Sequence, residues 1–429
     1  MPRSYQRRRP EQGVLFRVLD EHLDGFLNQA AAATDDELGG VPGFVQNELR
    51  DYLACGVLSR GFARFKCTAC PFEQVVALSC KGRGFCPSCG GKRMTSIAAE
   101  LTDRVIPYVP VRQFVLSLPH RLRYWLAYDH DRCIAVLRIY IRTLLSFYRR
   151  RARNSEAGVH DGRSGTVTFI QRFGSAANLN IHFHVIALDG VFAQDEAGQL
   201  KFHVAEALTD AEVTQLVGKV RKRILRHLER RGLLDADAQD SDPIAAASPA
   251  LASCYAGSVA GRQTLGRRKG AKLERIGADP DAPWIEAKGR LSAFSEGFDL
   301  HAGLRVVADH PEGRDQLEKL LRYCARPPLS EERLSRVGDK VVLRLKTLGA
   351  TARHTWCTSP WTSWQSSPRS FHGPTKTSCS TTACSPPTPC GATGSSRMAA
   401  TRRLQAIVKV NRLARVMNHL GTSVVVGRR

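Results

Sequence analysis

Apolar residues recur along the chain in two spacings, one typical of helices and the other typical of strands. Residues 11–54 carry apolar side chains three and four positions apart, which predicts helices with one buried face. The same spacing predicts a long helix over 131–151, a basic helix over 209–231 and an amphipathic helix over 314–325. Residues 236–250 are rich in Ala, Asp and Pro, which is typical of a linker or a mobile loop.

Short runs of β-branched and aromatic residues predict strands. Three of them are VRQFVLSLP (111–119), TVTFIQRF (166–173) and FDLHAGLRVVA (298–308). A fourth run, NLNIHFHVIALDGVF (178–192), is hydrophobic enough for a buried strand, yet it contains two histidines.

His182 and His184 are separated by Phe183 alone. Because side chains alternate along a strand, both imidazoles point to one face, and Phe183 points to the other face with Ile181, Val185 and Ala187. Two imidazoles on one face can hold a divalent ion. An isolated pair of this kind is more often two unrelated histidines, so the metal interpretation depends on the rest of the chain.

The charge balance points to a polyanionic partner. The 429 residues include 63 Lys and Arg against 40 Asp and Glu, a net charge of +23. A chain this basic is typical of nucleic-acid-binding proteins. It contains no apolar run of about 18 residues and no apolar signal core near its start, so we expect a cytoplasmic protein that acts at the nucleoid without a membrane segment.

The cysteines predict a structural zinc site. Six of the 13 cysteines lie between Cys55 and Cys89, and four of them form two CxxC pairs. The pairs Cys67–Cys70 and Cys86–Cys89 have the spacing of a tetrahedral site with four thiolate ligands. Cys80 is an alternative ligand for one of the four. A redox CxxC also fits the pattern, but the presence of two pairs favours metal.

A tyrosine near the end of the predicted 314–325 helix lies among basic residues, as expected of a nucleophile that attacks a phosphate. Helical spacing places four residues on an apolar face: Leu317, Leu320, Leu321 and Cys324. Tyr323 lies away from that face with Lys319 and Arg326, where its hydroxyl can meet a phosphate. An ordinary surface tyrosine fits the same pattern.

The character of the chain changes after Lys346. Residues 347–400 are crowded with Thr, Ser, Pro and Cys and show neither helical nor strand spacing. One interpretation is a disordered segment. The other is a frameshift, since three of the five tryptophans lie there and an adjacent reading frame can encode Leu-Tyr-His-Gly-Val across 379–384. The nucleotide sequence of the gene tests this hypothesis, which fails if no other frame encodes a periodic peptide.

Three stretches occur in a distinctive order: GFARFKCTACPFEQVVALSCKGRGFCPSC, then GTVTFIQRFGSAANLNIHFHVIALDGVF, then LLRYCARPPLSEERL. Over about residues 45–346 they resemble the rolling-circle insertion-sequence transposases of the His-hydrophobe-His (HUH) superfamily, of the insertion sequence 91 type. The resemblance implies an α+β fold, in which a small helical and zinc-binding domain precedes a nuclease core with a central antiparallel sheet flanked by helices. The implied divisions are 1–105 (helical and zinc-binding), 106–346 (HUH nuclease), 347–400 (frameshifted or disordered) and 401–429 (basic tail).

The resemblance also implies roles for the motif residues. His182 and His184 would bind Mg²⁺ or Mn²⁺, with Gln171 on the neighbouring strand as a candidate third ligand. Tyr323 would attack single-stranded DNA at the ends of the element and at its target to form a 5′-phosphotyrosine. Some relatives have a second tyrosine four residues earlier, where this chain has Lys319. Either one tyrosine suffices, or the second strand transfer uses another route.

Three other functions remain open. A rolling-circle replication initiator or relaxase would use the same chemistry. A zinc-dependent DNA-binding remnant of a transposase would bind DNA without cutting it, and Tyr323→Phe would then change little. A basic zinc protein that binds RNA would prefer RNA to single-stranded DNA in competition, although no RNA-recognition motif is visible.

Overall fold

The computed structural model describes residues 9–32, 40–68, 70–82, 85–174, 177–233, 242–264, 269–271, 274–276, 290–338, 340–344 and 355–358. The α-helices within these ranges are α1 (Val14–Ala32), α2 (Gly43–Ala54), α3 (Pro87–Glu100), α4 (His120–Tyr128), α5 (His130–Asn154), α6 (Asp210–Glu229), α7 (Pro243–Ala247), α8 (Pro249–Ala260) and α9 (Pro311–Ala325). Within the described part of the chain, none of the helices has the length and apolar character needed to cross a bilayer.

The β-strands in the same ranges are β1 (Phe62–Lys66), β2 (Glu73–Ala77), β3 (Val111–Ser117), β4 (Thr166–Phe173), β5 (Leu179–Leu188), β6 (Gly190–Gln194), β7 (Leu200–Val204), β8 (Glu274–Ile276), β9 (Ser292–Ser295), β10 (Phe298–His301), β11 (Arg305–Val306), β12 (Leu334–Val337), β13 (Lys340–Arg344) and β14 (Thr355–Thr358). They form a central sheet, a four-stranded sheet of order β12-β13-β14-β8, and the hairpins β1-β2 and β6-β7.

The central sheet has the order β4-β5-β3-β10-β9, and the short β11 also pairs with β3. Every pair in it is antiparallel, as the resemblance implied. β5 lies between β4 and β3 and pairs with both along most of its length. Both of its edges are therefore paired, and helices cover both faces of the sheet, which explains why its sequence is a continuous hydrophobic run rather than an alternation.

Helices cover both faces of the central sheet, so the fold is α+β. On one face, α4, α5, α6 and α8 contribute to a core that includes the apolar side of β5. On the other face, α3 and α9 pack against side chains of the sheet: Val111, Val167, Phe169 and Ile186. Along β5, the two histidines alternate with the apolar residues that face the first helix layer. The histidine pair therefore faces the second layer, which contains α3 and α9.

The N-terminal helices have a core of their own. Side chains of α1 and α2 pack with Phe85 and Cys86, and with Leu329, Val341 and Leu343 from the C-terminal part of the described chain. The helical and zinc-binding region therefore contacts segments that follow the central sheet in sequence. The division at residue 105 stays a prediction.

Three segments differ in the structure from their predicted form. The run 298–308 is two short strands, β10 and β11, each paired with β3. The segment 236–250 includes α7 and the start of α8, because prolines at the first helical turns are compatible with helix initiation. Within 347–400 the short strand β14 pairs with β13 and β8. The rest of that segment and residues 401–429 lie outside the described residues, so the frameshift hypothesis stays a prediction.

Candidate active site and zinc centre

His182 and His184 lie side by side on β5, on the face that α9 approaches. Their side chains are 8% and 3% exposed, and their ring centroids are 4.9 Å apart. Phe183 is fully buried in the core on the opposite face, together with Ile181 and Val185. The alternation predicted from the sequence is therefore present, and both imidazoles share one side of the sheet.

The hydrogen bond of His182 determines which ring nitrogen can accept a ligand. Its Nδ1 lies 2.8 Å from the carbonyl oxygen of Asn180. A carbonyl only accepts, so Nδ1 carries the proton and Nε2 keeps its lone pair. Burial lowers the pKa of His182 to about 4, and the positive charges of Arg326 and Arg123 act in the same direction. The ring is therefore neutral at pH 7, which is the form that binds a metal ion.

His184 is held between the sheet and α9. Its Nδ1 lies 2.8 Å from the side-chain amide of Gln113 on β3, and the same amide lies 3.3 Å from Sγ of Cys324 on α9. Gln113 is 7% exposed. The spacing of apolar residues does not predict a role for Gln113, although an amide within the hydrophobic run VRQFV is a signal for a buried polar contact.

Gln171 connects the histidine pair to the end of α9. It lies directly opposite His182 in the β4-β5 register, so the two side chains share a face. Its amide nitrogen donates to the backbone carbonyls of Cys324 at 2.8 Å and Tyr323 at 3.3 Å. Its Oε1 is buried and accepts no hydrogen bond from the residues that the structure describes. Buried amide oxygens seldom lack a partner, so this atom is available to a ligand.

Tyr323 lies on the polar side of α9, beside the histidines. Its ring is 39% exposed and makes an edge-on contact with the ring of His184, with centroids 5.8 Å apart. The four predicted apolar-face residues are buried: Leu317, Leu320, Leu321 and Cys324. Tyr323 and His184 are 139 positions apart in the sequence. In the structure, the tyrosine and the histidine pair thus meet at one accessible site.

Four cysteines form a second cluster: Cys55, Cys80, Cys86 and Cys89. All their sulfur atoms lie within 4.8 Å of one another. The Sγ–Sγ distances are 3.8 Å for Cys55–Cys86, 3.7 Å for Cys55–Cys89 and 3.7 Å for Cys80–Cys89. A tetrahedron with zinc–sulfur bonds of about 2.3 Å has edges of about 3.8 Å. The donor set therefore fits a structural zinc ion.

Local backbone contacts bring these sulfurs together. Cys55 directly follows α2 as its C-cap, and the amide of Gly56 donates to the carbonyl of Leu78, which places Cys80 beside Cys55. Cys86 is the N-cap of α3, and Cys89 lies in the first turn of that helix. The positive end of the helix dipole stabilises thiolates there.

The structure brings only Cys86 and Cys89 of the four predicted ligands to this cluster. Cys67 and Cys70 lie in the turn of the β1-β2 hairpin, where the amide of Cys67 donates to the carbonyl of Phe72 at 2.9 Å. Four residue steps of paired strand, about 13 Å, separate this turn from the end of the hairpin near Cys80. The extended hairpin is the physical reason for their separation. The other two sulfurs of the cluster come from Cys80, which the sequence offered as an alternative ligand, and from Cys55.

Two family models match the segments that contain the two clusters. A family model described as “Transposase zinc-binding domain”, of the insertion sequence 91 type, matches residues 19–118. A second model, described as “Putative transposase”, matches residues 165–360. No curated protein and no solved structure matches the chain. The first match contains all four clustered cysteines, and the second contains both histidines, Gln171 and Tyr323.

Proposed function

Because the chain belongs to the insertion sequence 91 family of transposases, we propose that it cuts and transfers single-stranded DNA through a 5′-phosphotyrosine in rolling-circle transposition. The observation that supports this proposal is the contact of the Tyr323 ring with the ring of His184, beside His182. A hydroxyl on an accessible helix face next to a buried histidine pair is a suitable arrangement for attack on a phosphodiester.

The residues of the site suit a divalent cation such as Mg²⁺ or Mn²⁺. His182 offers Nε2, and Gln171 offers an Oε1 with no hydrogen bond among the described residues. The structure places the Nε2 of Gln113 against Nδ1 of His184. When the Gln113 amide is rotated by about 180°, its oxygen accepts the Nδ1 proton of His184, and the Nε2 of His184 can bind the cation. A bound cation supplies Lewis-acid polarisation of the scissile phosphate.

The tyrosine performs the strand cleavage in this proposal. The Tyr323 oxygen forms a bond to phosphorus while the bond from phosphorus to the 3′ oxygen breaks. The tyrosine hydroxyl loses its proton to solvent, and the leaving 3′ oxygen takes up a proton from solvent. The reaction therefore consumes no water. A free 3′-hydroxyl attacks the phosphotyrosine in the reverse sense and rejoins the strand. The phosphodiester energy is conserved, which agrees with the absence of a GxxxxGK[ST] sequence from the chain.

Tyr323→Phe tests the proposed function. Purified protein is incubated with labelled single-stranded DNA from the ends of its element and Mn²⁺, and covalent adducts are resolved on a denaturing gel. The wild type should form an adduct and Tyr323→Phe should form none, because the variant lacks the attacking oxygen. DNA binding, measured by fluorescence anisotropy, should be unchanged.

The matched control is Tyr128→Phe, which changes another exposed tyrosine, 43% accessible on α4, and should retain the adduct. Intact DNA binding with no adduct from the wild type would contradict the proposal and support a zinc-dependent DNA-binding remnant. An adduct that survives Tyr323→Phe would assign the reaction to another nucleophile.

A further inference from the structure

Arg326 lies directly after α9, three residues beyond Tyr323. Its guanidinium carbon is 4.4 Å from the centroid of the Tyr323 ring and 6.0 Å from that of Phe173. The two prolines that follow restrict the backbone on its C-terminal side. A planar cation is thus positioned against the proposed nucleophile by two aromatic rings.

The charge of Arg326 is not neutralised within the part of the chain that the structure describes. Its Nε is buried and makes no hydrogen bond there, and no carboxylate of these residues pairs with it. Arg322, one turn earlier, differs in this respect, because its Nη2 and Nε contact Oε1 of Glu318 at 2.6 Å and 2.9 Å. The two arginines at the end of α9 therefore differ: the charge of Arg322 is paired with a carboxylate, and that of Arg326 is available to a ligand.

A buried guanidinium N–H without a partner has a high desolvation cost, which an anionic ligand would offset. The ligand nearest to the Tyr323 hydroxyl in the proposed reaction is the scissile phosphate. Arginine suits this ligand better than lysine, because its planar fork can donate two parallel hydrogen bonds to phosphate oxygens.

We propose that Arg326 is a catalytic residue that binds the non-bridging oxygens of the scissile phosphate and then those of the phosphotyrosine. This inference rests on the proposed function. The phosphodiester has one negative charge, and a second develops on its oxygens as the Tyr323 oxygen bonds to phosphorus and the 3′ oxygen leaves. Arg326 stabilises that added charge and makes no bond itself.

The experiment compares Arg326→Gln with Arg322→Gln in the full chain with Mn²⁺. The wild-type cut site is mapped first, and two single-stranded DNAs are then made. One has the normal phosphate at the cut site, and the other has a methylphosphonate, in which a neutral methyl group replaces a charged oxygen. The rate of adduct formation is measured at saturating DNA, and binding is measured separately by fluorescence anisotropy.

On normal DNA, Arg326→Gln should slow adduct formation by about 100-fold, the usual effect of removing one transition-state donor. Arg326→Lys should recover part of that rate, and Arg322→Gln should match the wild type. On methylphosphonate DNA the phosphate starts neutral and its transition state has one negative charge fewer, so the difference in rate between wild type and Arg326→Gln should be much smaller than on normal DNA.

Two results would overturn the inference alone while the wild type forms its adduct. One is an unchanged rate in Arg326→Gln. The other is an equal loss on both DNAs, which a folding or packing defect would produce. Failure of the wild type to form any adduct would instead overturn the proposed function, and the role of Arg326 with it.

Discussion

Among single residues, Asp189 shows how the central sheet accommodates buried charge. It follows β5, is 1% exposed, and accepts hydrogen bonds from Arg112 at 3.1 Å, Arg305 at 2.7 Å and the Tyr148 hydroxyl at 2.9 Å. Arg112 also donates to the carbonyl of Ala302. Each charge has partners in fixed geometry, which offsets the desolvation cost of the carboxylate.

Removal of this carboxylate should destabilise the fold strongly. Asp189→Ala leaves Arg112 buried without its anion, and breaking a buried pair in this way costs about 3–5 kcal/mol in free energy of unfolding. Urea denaturation followed by far-ultraviolet circular dichroism measures the change. The control is Glu318→Ala, which breaks the more exposed pair with Arg322 and should cost less than about 1 kcal/mol. Equal effects would show that burial does not determine the contribution of Asp189.

Among the elements, α3 and α9 connect the zinc centre to the proposed nucleophile. α3 begins at two of the clustered cysteines, and Gly90 in its first turn lies against Pro327, which follows Arg326. A Cβ atom at Gly90 would lie 2.8 Å from Cβ of Pro327, closer than such atoms approach. Glycine is therefore needed where the two helices meet.

Gly90→Ala should move α3 away from the end of α9, because the proline ring cannot rotate aside. We expect a loss of about 1–3 kcal/mol in stability from this overpacking and slower adduct formation. Gly91→Ala is the matched control, since nothing lies within 4 Å of the added methyl group. It should be neutral or stabilise the helix by up to about 1 kcal/mol. Urea midpoints and adduct rates measure both variants, and similar effects would contradict the close contact.

At the scale of the whole molecule, the zinc centre lies within a core made from distant parts of the chain. Cys86 and Cys55 pack with α1, α2 and apolar residues of β13. Arg336 on β12 also contacts Glu21 on α1 at 2.8 Å. The metal therefore stabilises a region in which segments before and after the central sheet meet.

Cysteine variants test which sulfurs hold the zinc. Cys80→Ser should lose zinc and lower the urea midpoint, because it removes a ligand from a core of the fold. Cys70→Ser should keep the zinc content of the wild type, since Cys70 is exposed in the hairpin turn. Metal content is measured by inductively coupled plasma mass spectrometry. Loss of zinc in Cys70→Ser with retention in Cys80→Ser would restore the ligand set predicted from spacing.

Local sequence determined most of the secondary structure around the site. The pattern over 166–173 predicted β4 to the residue, and the long helix, the basic helix and the tyrosine helix each differ from prediction by a few residues at their ends. Side-chain alternation also placed both histidines on one face. These features depend on residues within one or two turns of one another, so a local pattern contains the information.

Only the tertiary structure decided which residues meet. The CxxC spacing suggested Cys67 and Cys70 as zinc ligands, but the length of a hairpin separates them from the cluster. Gln113 reaches His184 through strand pairing, and Gln171 meets Tyr323 and Cys324 through the docking of α9. The sequence by itself determined the elements and the types of side chain available to them. The partners were decided by packing between segments far apart in the chain, because such contacts leave no regular spacing in the sequence.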